Sequence, residues 1–540
     1  MVTAAEAATT VEKLLAYGCQ QGLINKYDSI IVRNQLLDKL NLSQPTSSYA
    51  GGLPTEDIPD SPRPMLEMLV EYALEEEIIA RDTPTHRDLF DTELMGALMP
   101  RQSEVIENFW VESEQNSMKA ATDYFYQLAQ QSNYIRKERI ERNSRWQAET
   151  EWGELEITIN LAKPEKDPDE IAAAGQEENV DYPRCPLCVE NVGYAGRLDH
   201  PARHNLRVIP FELQGEEWFL QYSPYVYYQE HCIVLSARHE PMNINRDTFT
   251  ELLEFLDVFP HYFIGSNADL PLVGGSILNH DHFQGGRYEF PMERSDIALS
   301  IEHPDFTAIE AGVVNWPLSV IRLRSSSASE LVEAADRIHN SWQDYSDPDR
   351  KILAYTQQDG EKTKHNTTTP IARYIETEDK YELDLVLRNN RRSRERPAGV
   401  FHPRESLHHI KKENIGLIEV MGMAVLPGRL HYELEELKKV LTGKYDCCDL
   451  KELGQQQELD LAKHCQWLEK LVEKYGQNNS EEQSERLLHQ ETAQKFCQVL
   501  KDAGVFKWDA EGRRGIQQFL QQVGWKTGRW QEAGDLNDRK

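Results

Sequence analysis

The chain has 540 residues, of which 39% are hydrophobic and 28% charged, and a formal net charge of −31. That length and composition describe a soluble globular protein of two to four domains with a substantial core, and no run is apolar enough to span a bilayer. The negative field excludes nucleic acid and anionic membrane surfaces as natural partners, so an anionic substrate must be drawn in by local positive charge.

The opening, MVTAAEAATTVEKLLAYGCQQGL, has no basic segment ahead of an apolar core and does not read as a secretory signal. Its apolar residues recur at helical spacing. So do those of DSIIVRNQLLDKL and of EVIENFWVESEQNSMKAATDYFYQLAQQSNYIRKERIERN, and residues 1–150 are predicted to be helical. SSYAGGLPTEDIPDSPRP between them reads as a turn-rich loop. From GELEITINLAKP the period becomes two, with Leu155, Ile157 and Ile159 alternating with polar residues. Strand signals continue through HNLRVIPFEL, EEWFLQYSPYVYYQEHCIVLSARH and GGSILNHDHFQ. Residues 431–540 return to charged, Gln-rich helical patterns such as ELEELKKVL.

The middle repeats one order of elements. EHCIVLSARHEPMNINRDTFTELLEFLDVFPHY and WPLSVIRLRSSSASELVEAADRIHNSWQDY each read as strand, turn and amphipathic helix. Each is followed by a β-rich, histidine-bearing segment, DLPLVGGSILNHDHFQGG and YELDLVLRNNRRS…GVFHPRESLHHI. This predicts two antiparallel α+β halves, over 151–300 and 301–430, with the chemistry kept in the first and helical additions at 1–150 and 431–540. Eight cysteines are too few for a disulfide scaffold, and the adjacent Cys447 and Cys448 suit reduced thiols, so the cytosol is the expected compartment.

GGSILNHDHFQGG, from Gly274 to Gly286, carries the chemistry. In a strand, alternate residues share a face, so His280, His282 and Gln284 are expected to point one way and Asp281 and Phe283 the other. Paired glycines at both ends suit turns or the close approach of a ligand. A lone histidine here would be an ordinary half-buried residue; His-x-His-x-Gln between glycine pairs points to function. A cupin metal site is rejected, because the Glu that motif needs shortly after the histidines is absent: the next is Glu289. Acid/base work by a histidine and attack of an imidazole on phosphorus both remain. Neutral imidazole is nucleophilic near neutral pH.

The run RNNRRSRERPAGVFHPRESLHHIKK, Arg388 to Lys412, concentrates positive charge in an acidic chain. Such a run is usually a solvated loop. With His402, His408 and His409 and an apolar strand after it, a phosphate-facing segment is a rival reading, and Arg404 and Lys411 are its candidate substrate contacts.

DLPLVGGSILNHDHFQGG, together with YPRCPLCVENVGYAGR, QYSPYVYYQEHCIVLSARH, FPHYFIGSNADLP and HHIKKENIGLIEVMGMAVLP, closely resembles the type 2 galactose-1-phosphate uridylyltransferases, a family of the histidine-triad superfamily. The resemblance runs from about Gly153 to about Leu430. Asn279, where a small Ser or Ala is usual, and Leu272, where Ile is usual, depart from the family pattern but remove no chemical group. The resemblance implies an α+β fold with a duplicated histidine-triad-like antiparallel sheet core and helical N- and C-terminal additions.

It also implies a ping-pong exchange in galactose metabolism. UDP-glucose loses glucose 1-phosphate to an enzyme histidine, and galactose 1-phosphate takes the UMP group to give UDP-galactose. The nucleophile's role falls on His282 and the phosphate-binding amide's on Gln284. His280 orients the site or binds metal, and Asn267 is a nucleotide-contacting amide. The alternative is a nucleotide-sugar or dinucleotide phosphorylase or hydrolase of the same superfamily; a silent binding protein is disfavoured by the intact histidine motif. A homodimer is compatible with this reading.

CPLC sets Cys185 and Cys188 at the spacing of half a zinc site, whose tight turn aims both sulfurs at one point. No second Cys-x2-Cys follows, so histidines must complete it. His239 and His280 are the candidates, as in type 1 relatives, and the zinc would be structural. A buried pair of thiols without metal is the bland alternative.

Overall fold

Thr3 starts the first helix, Ala4–Gln20. Its hydroxyl accepts from Glu6 N, and the Glu6 carboxylate accepts from Thr3 N, a reciprocal capping box. Pro84 opens Pro84–Gly96 behind the Thr83 cap. The long helical pattern expected after residue 104 is cut into Gln102–Gln115 and Met118–Gln131, because Ser117 accepts from Ala120 N and caps a new helix.

The computed structural model describes residues 1–46, 53, 58–161, 180–358, 361–446, 450, 454 and 459–531. Most of the expected turn-rich link after Ser47, and the Cys447–Cys448 pair, lie outside the described residues. No disulfide joins the six described cysteines. No helix among the described residues is long and apolar enough to cross a membrane.

Two compact units share the chain: Met1–Glu141 with Ala162–Glu240, and Arg142–Leu161 with Pro241–Lys540. Strands β1 (Ser144–Thr150) and β2 (Gly153–Asn160) form an antiparallel hairpin in the second unit. β1 lies where helix was predicted; its sequence SRWQAET has almost no apolar signal and its pairing comes from β2. The expected alternation of β2 is overridden. Glu156, Thr158 and Asn160 are buried along with Leu155, Ile157 and Ile159, and β2 also pairs in parallel with a later strand, Met423–Pro427. In the first unit, β3 (Ile209–Leu213), β4 (Glu216–Tyr222) and β5 (Cys232–Ser236) form an antiparallel meander.

The main sheet of the second unit is built from β6 (Phe263–Gly265), β7 (His282–Gly286), β8 (Ile297–Glu302), β9 (Glu310–Val314), β10 (Val320–Ser325), β13 (Asn366–Ile375), β14 (Lys380–Asn389) and β16 (Lys526–Trp530). Their order is β16-β8-β9-β10-β14-β13-β6-β7, with antiparallel neighbours. β11 (Tyr355–Gln358) and β12 (Glu361–Lys364) form a separate hairpin. Helices Arg246–Val258 and Ala328–Gln343 pack on each other and on β13. The α+β class and the antiparallel core thus follow the sequence reading.

Two local expectations do not. GVFHPRESLHHI holds turns and a single 3-10 turn, Glu405–Leu407, instead of β structure. β16 lies in the region predicted to be helical and pairs with β8; only that pairing makes a strand of the polar KTGRW.

Candidate active site

β7 begins at His282, later than the sequence reading placed it. His282 and Gln284 therefore share a strand face, whereas His280 sits in the bend just before it. A Cβ at Gly274 would stand 2.1 Å from Ala268 O, so the chain passes closely over residue 268 there. Gly274 is thus required by the approach of another backbone segment.

His282 is 6% exposed, and its Nδ1 lies 2.8 Å from the His280 carbonyl oxygen. A carbonyl can only accept, so Nδ1 carries the proton and Nε2 keeps its lone pair. Burial pushes the imidazole pKa down to about 4, which leaves the ring neutral near pH 7. The half-buried Gln284 stands opposite Gly265 of β6 in the antiparallel register.

Asn267 follows β6. Its Oδ1 accepts from Leu417 N at 2.9 Å, which fixes the amide's orientation. Its Nδ2 donors have no hydrogen-bond partner among the described residues. A Cβ at position 275 would come within 2.9 Å of Nδ2, so Gly275 keeps that side of the amide open. The sequence marked Asn267 and Gly275 separately and held no sign of their juxtaposition. Leu417, which aims the amide, was missed altogether, because it acts through a backbone N–H.

The basic segment divides. Lys411 is buried, with Nζ 2.8 Å from Glu419 Oε1 and 2.9 Å from Val425 O. Arg404 makes a two-pronged contact with Asp502, Nε to Oδ2 at 2.8 Å and Nη2 to Oδ1. Arg388 is also buried and gives Nη2 to Ile415 O at 2.7 Å. Both expected substrate contacts, Arg404 and Lys411, are therefore taken by carboxylates of the protein. Arg392, Arg394 and Lys412 remain exposed.

In the first unit, Cys185 Sγ and Cys188 Sγ are buried 3.5 Å apart, and His239 Nδ1 lies 3.1 Å from Cys188 Sγ. Two thiolates on a tetrahedral zinc with Zn–S of about 2.3 Å stand about 3.8 Å apart, so the three donors fit one ion. His280, the fourth expected ligand, is 1% exposed and belongs to the second unit.

A buried neutral imidazole with a fixed tautomer, a carboxamide on the same strand face and an aimed amide nearby in sequence are groups that can attack and bind a phosphoryl centre. Residues 24–241 match the family described as galactose-1-phosphate uridyl transferase, N-terminal domain, and residues 254–467 match its C-terminal domain. The galactose-1-phosphate uridylyltransferase of Caldanaerobacter subterraneus subsp. tengcongensis is 51% identical over 97% of this chain and 99% of its own. That of Bacillus subtilis is 47% identical over 96% and 98%. A solved structure of yeast Ap4A phosphorylase Apa2 aligns over 63% of this chain and 90% of its own with 11% identity and a TM-score of 0.29. The chain belongs to the galactose-1-phosphate uridylyltransferase family.

Proposed function

We propose that the protein is a UDP-glucose–hexose-1-phosphate uridylyltransferase working by ping-pong transfer through uridylyl-His282. The carrying observation is the 2.8 Å bond from His282 Nδ1 to the His280 carbonyl. In the first half-reaction, the Nε2 lone pair attacks the α-phosphorus of UDP-glucose. The bond from that phosphorus to the bridging oxygen breaks, and its electron pair leaves with glucose 1-phosphate. No proton moves, because a phosphate is a competent leaving group. The ring becomes a cation, and the His280 carbonyl already accepting from Nδ1 stabilises it. In the second half-reaction, a phosphate oxygen of galactose 1-phosphate attacks the same phosphorus. The P–N bond breaks, its pair returns to Nε2, and UDP-galactose leaves.

Gln284, two residues along the same face, donates to a phosphoryl oxygen and cannot exchange protons near neutral pH. Asn267 supplies the amide donors that Leu417 N aims. Family membership favours transfer over the phosphorylase or hydrolase reading. Zinc held by Cys185, Cys188 and His239, with His280 in the fourth place as the family resemblance implies, would be structural, since four protein ligands leave no open position. A cytosolic location is proposed from the sparse cysteines of the sequence, eight in 540 residues.

The test is chemical. With UDP-glucose alone, the protein should gain the mass of one uridylyl group on His282 and release one equivalent of glucose 1-phosphate. His282→Asn should show neither and should not exchange in either direction, because an amide cannot replace the nucleophile of a covalent route. Steady UMP release regardless of acceptor would favour the hydrolase; normal exchange by His282→Asn would remove the assignment.

A further inference from the structure

A cavity of about 330 Å³ opens in the first unit, lined entirely by residues between Tyr17 and Glu138. Its wall is dominated by carboxamides: Gln21, Gln127, Gln130, Gln131 and Asn133. The protein fills only part of the hydrogen-bonding capacity of these amides. Gln131 Nε2 donates to Gln21 Oε1 at 2.9 Å, which leaves Gln131 Oε1 as an acceptor and Gln21 Nε2 as a donor. Tyr17 gives its hydroxyl proton to Gln131 O at 2.9 Å and keeps an oxygen lone pair. Asn133 is the decisive residue. It is only 7% exposed, yet its carboxamide has no hydrogen-bond partner among the described residues. Neither of its polar atoms is fully enclosed by protein. Both atoms therefore reach the cavity, where water or a bound ligand completes their hydrogen bonds.

A structural duty accounts for the backbone of Asn133. The residue follows the helix Met118–Gln131 with φ of 55°, and its N–H bonds Gln130 O. Glycine and asparagine are the usual residues at such a left-handed position, and asparagine, unlike glycine, also presents an amide to the cavity.

Charge and size narrow the ligand. Asp60 and Glu138 face one ammonium, Lys137, across the cavity, and Glu138 already accepts from Ser61 Oγ. The balance is negative, in a chain whose net charge is −31, so phosphate is disfavoured. The volume sits at the lower end of the roughly 300–1,000 Å³ usual for small-molecule sites, suited to one ring and not to a nucleotide sugar. Amides pair a donor and an acceptor against adjacent hydroxyls, and an amide-lined space offers both without charge.

We infer that this cavity is a binding site for a neutral monosaccharide, separate in its residues from the uridylyl-transfer site. The experiment is a titration of the full-length protein with D-galactose and D-glucose by ligand-observed NMR and calorimetry, repeated on Asn133→Gly, Gln130→Ala and His282→Asn. Saturable hexose binding is expected in the wild type and in His282→Asn. Asn133→Gly and Gln130→Ala should each bind about tenfold more weakly, the factor for one lost hydrogen bond, with UDP-galactose formation at saturating substrates unchanged. Asn133→Gly keeps the left-handed turn, and Gln130→Ala lies on a helix, so at least one variant reports even if the other fails to fold. Absence of saturable binding by either hexose would overturn the inference. So would binding untouched by both cavity variants, or binding lost in His282→Asn, which would place the sugar in the catalytic site.

Discussion

Lys411→Met distinguishes a substrate contact from a structural one. The wild-type side chain is 5% exposed, and its ammonium meets Glu419 Oε1 at 2.8 Å and Val425 O at 2.9 Å. Glu419 Oε2 accepts from Gly416 N at 3.1 Å, so the same carboxylate holds the turn whose Leu417 N aims Asn267. Methionine refills most of the volume, and the loss is then electrostatic: a carboxylate left without its cation and a carbonyl left without a donor. Removing one side of a buried pair costs about 3–5 kcal/mol. Glu419 is 12% exposed and keeps one backbone donor, which puts the expectation near the lower end, about 3 kcal/mol. The assay is urea denaturation followed by fluorescence, where the midpoint should fall without a change in slope. Lys411→Met/Glu419→Gln removes the bare charge and should recover about half of the loss. The KM for UDP-glucose, measured well below the transition, should stay close to wild type. A wild-type urea midpoint combined with a raised KM would refute this reasoning and return Lys411 to the substrate.

Gln284→Ala should slow both half-reactions by roughly a hundredfold, as for a lost oxyanion donor, measured in single turnovers. Gln284→His should raise the ratio of UMP release to UDP-galactose formation in isolated uridylyl-enzyme; an unchanged ratio would show that water is excluded by other groups. Asn267→Asp keeps the acceptor for Leu417 N but sets a carboxylate where two donors were. The KM for UDP-glucose should rise on the order of a hundredfold, since like charges in contact cost several kcal/mol, while the melting temperature holds. Purified protein should carry close to one zinc per chain, lost in Cys185→Ser together with thermal stability; metal-free protein of full stability would leave the two thiols as packing only.

The shared strand face of His282 and Gln284 was legible because its information is local: a period of two needs no knowledge of the rest of the chain, while their roles came from the family resemblance. The start of β7 was not legible, because a strand extends only where a partner meets it, and β6 pairs with β7 over Gln284–Gly286. The basic segment was misread for the same reason. Counting charges between Arg388 and Lys412 shows the cations but not their partners, and the carboxylates that take Lys411 and Arg404 lie 8 and 98 residues further on. β16 and the parallel pairing of β2 with Met423–Pro427 are likewise properties of partners remote in sequence.

A consequence concerns which parts of the site substitution can reach. The group that sets the His282 tautomer is the His280 carbonyl, and the group that aims Asn267 is Leu417 N. Both belong to the backbone, so changing the side chains at 280 and 417 leaves them chemically in place and acts only by moving the chain. Proline at 417 is the exception, because it deletes the N–H. Under the proposed mechanism, the groups that substitution can tune directly are His282, Gln284 and Asn267. Of these, only Gln284 can be exchanged for a proton-trading group without losing the nucleophile or the aimed amide. Drift between transfer and hydrolysis in a site of this design is therefore expected to run through position 284, which makes the Gln284→His partition ratio its most informative number.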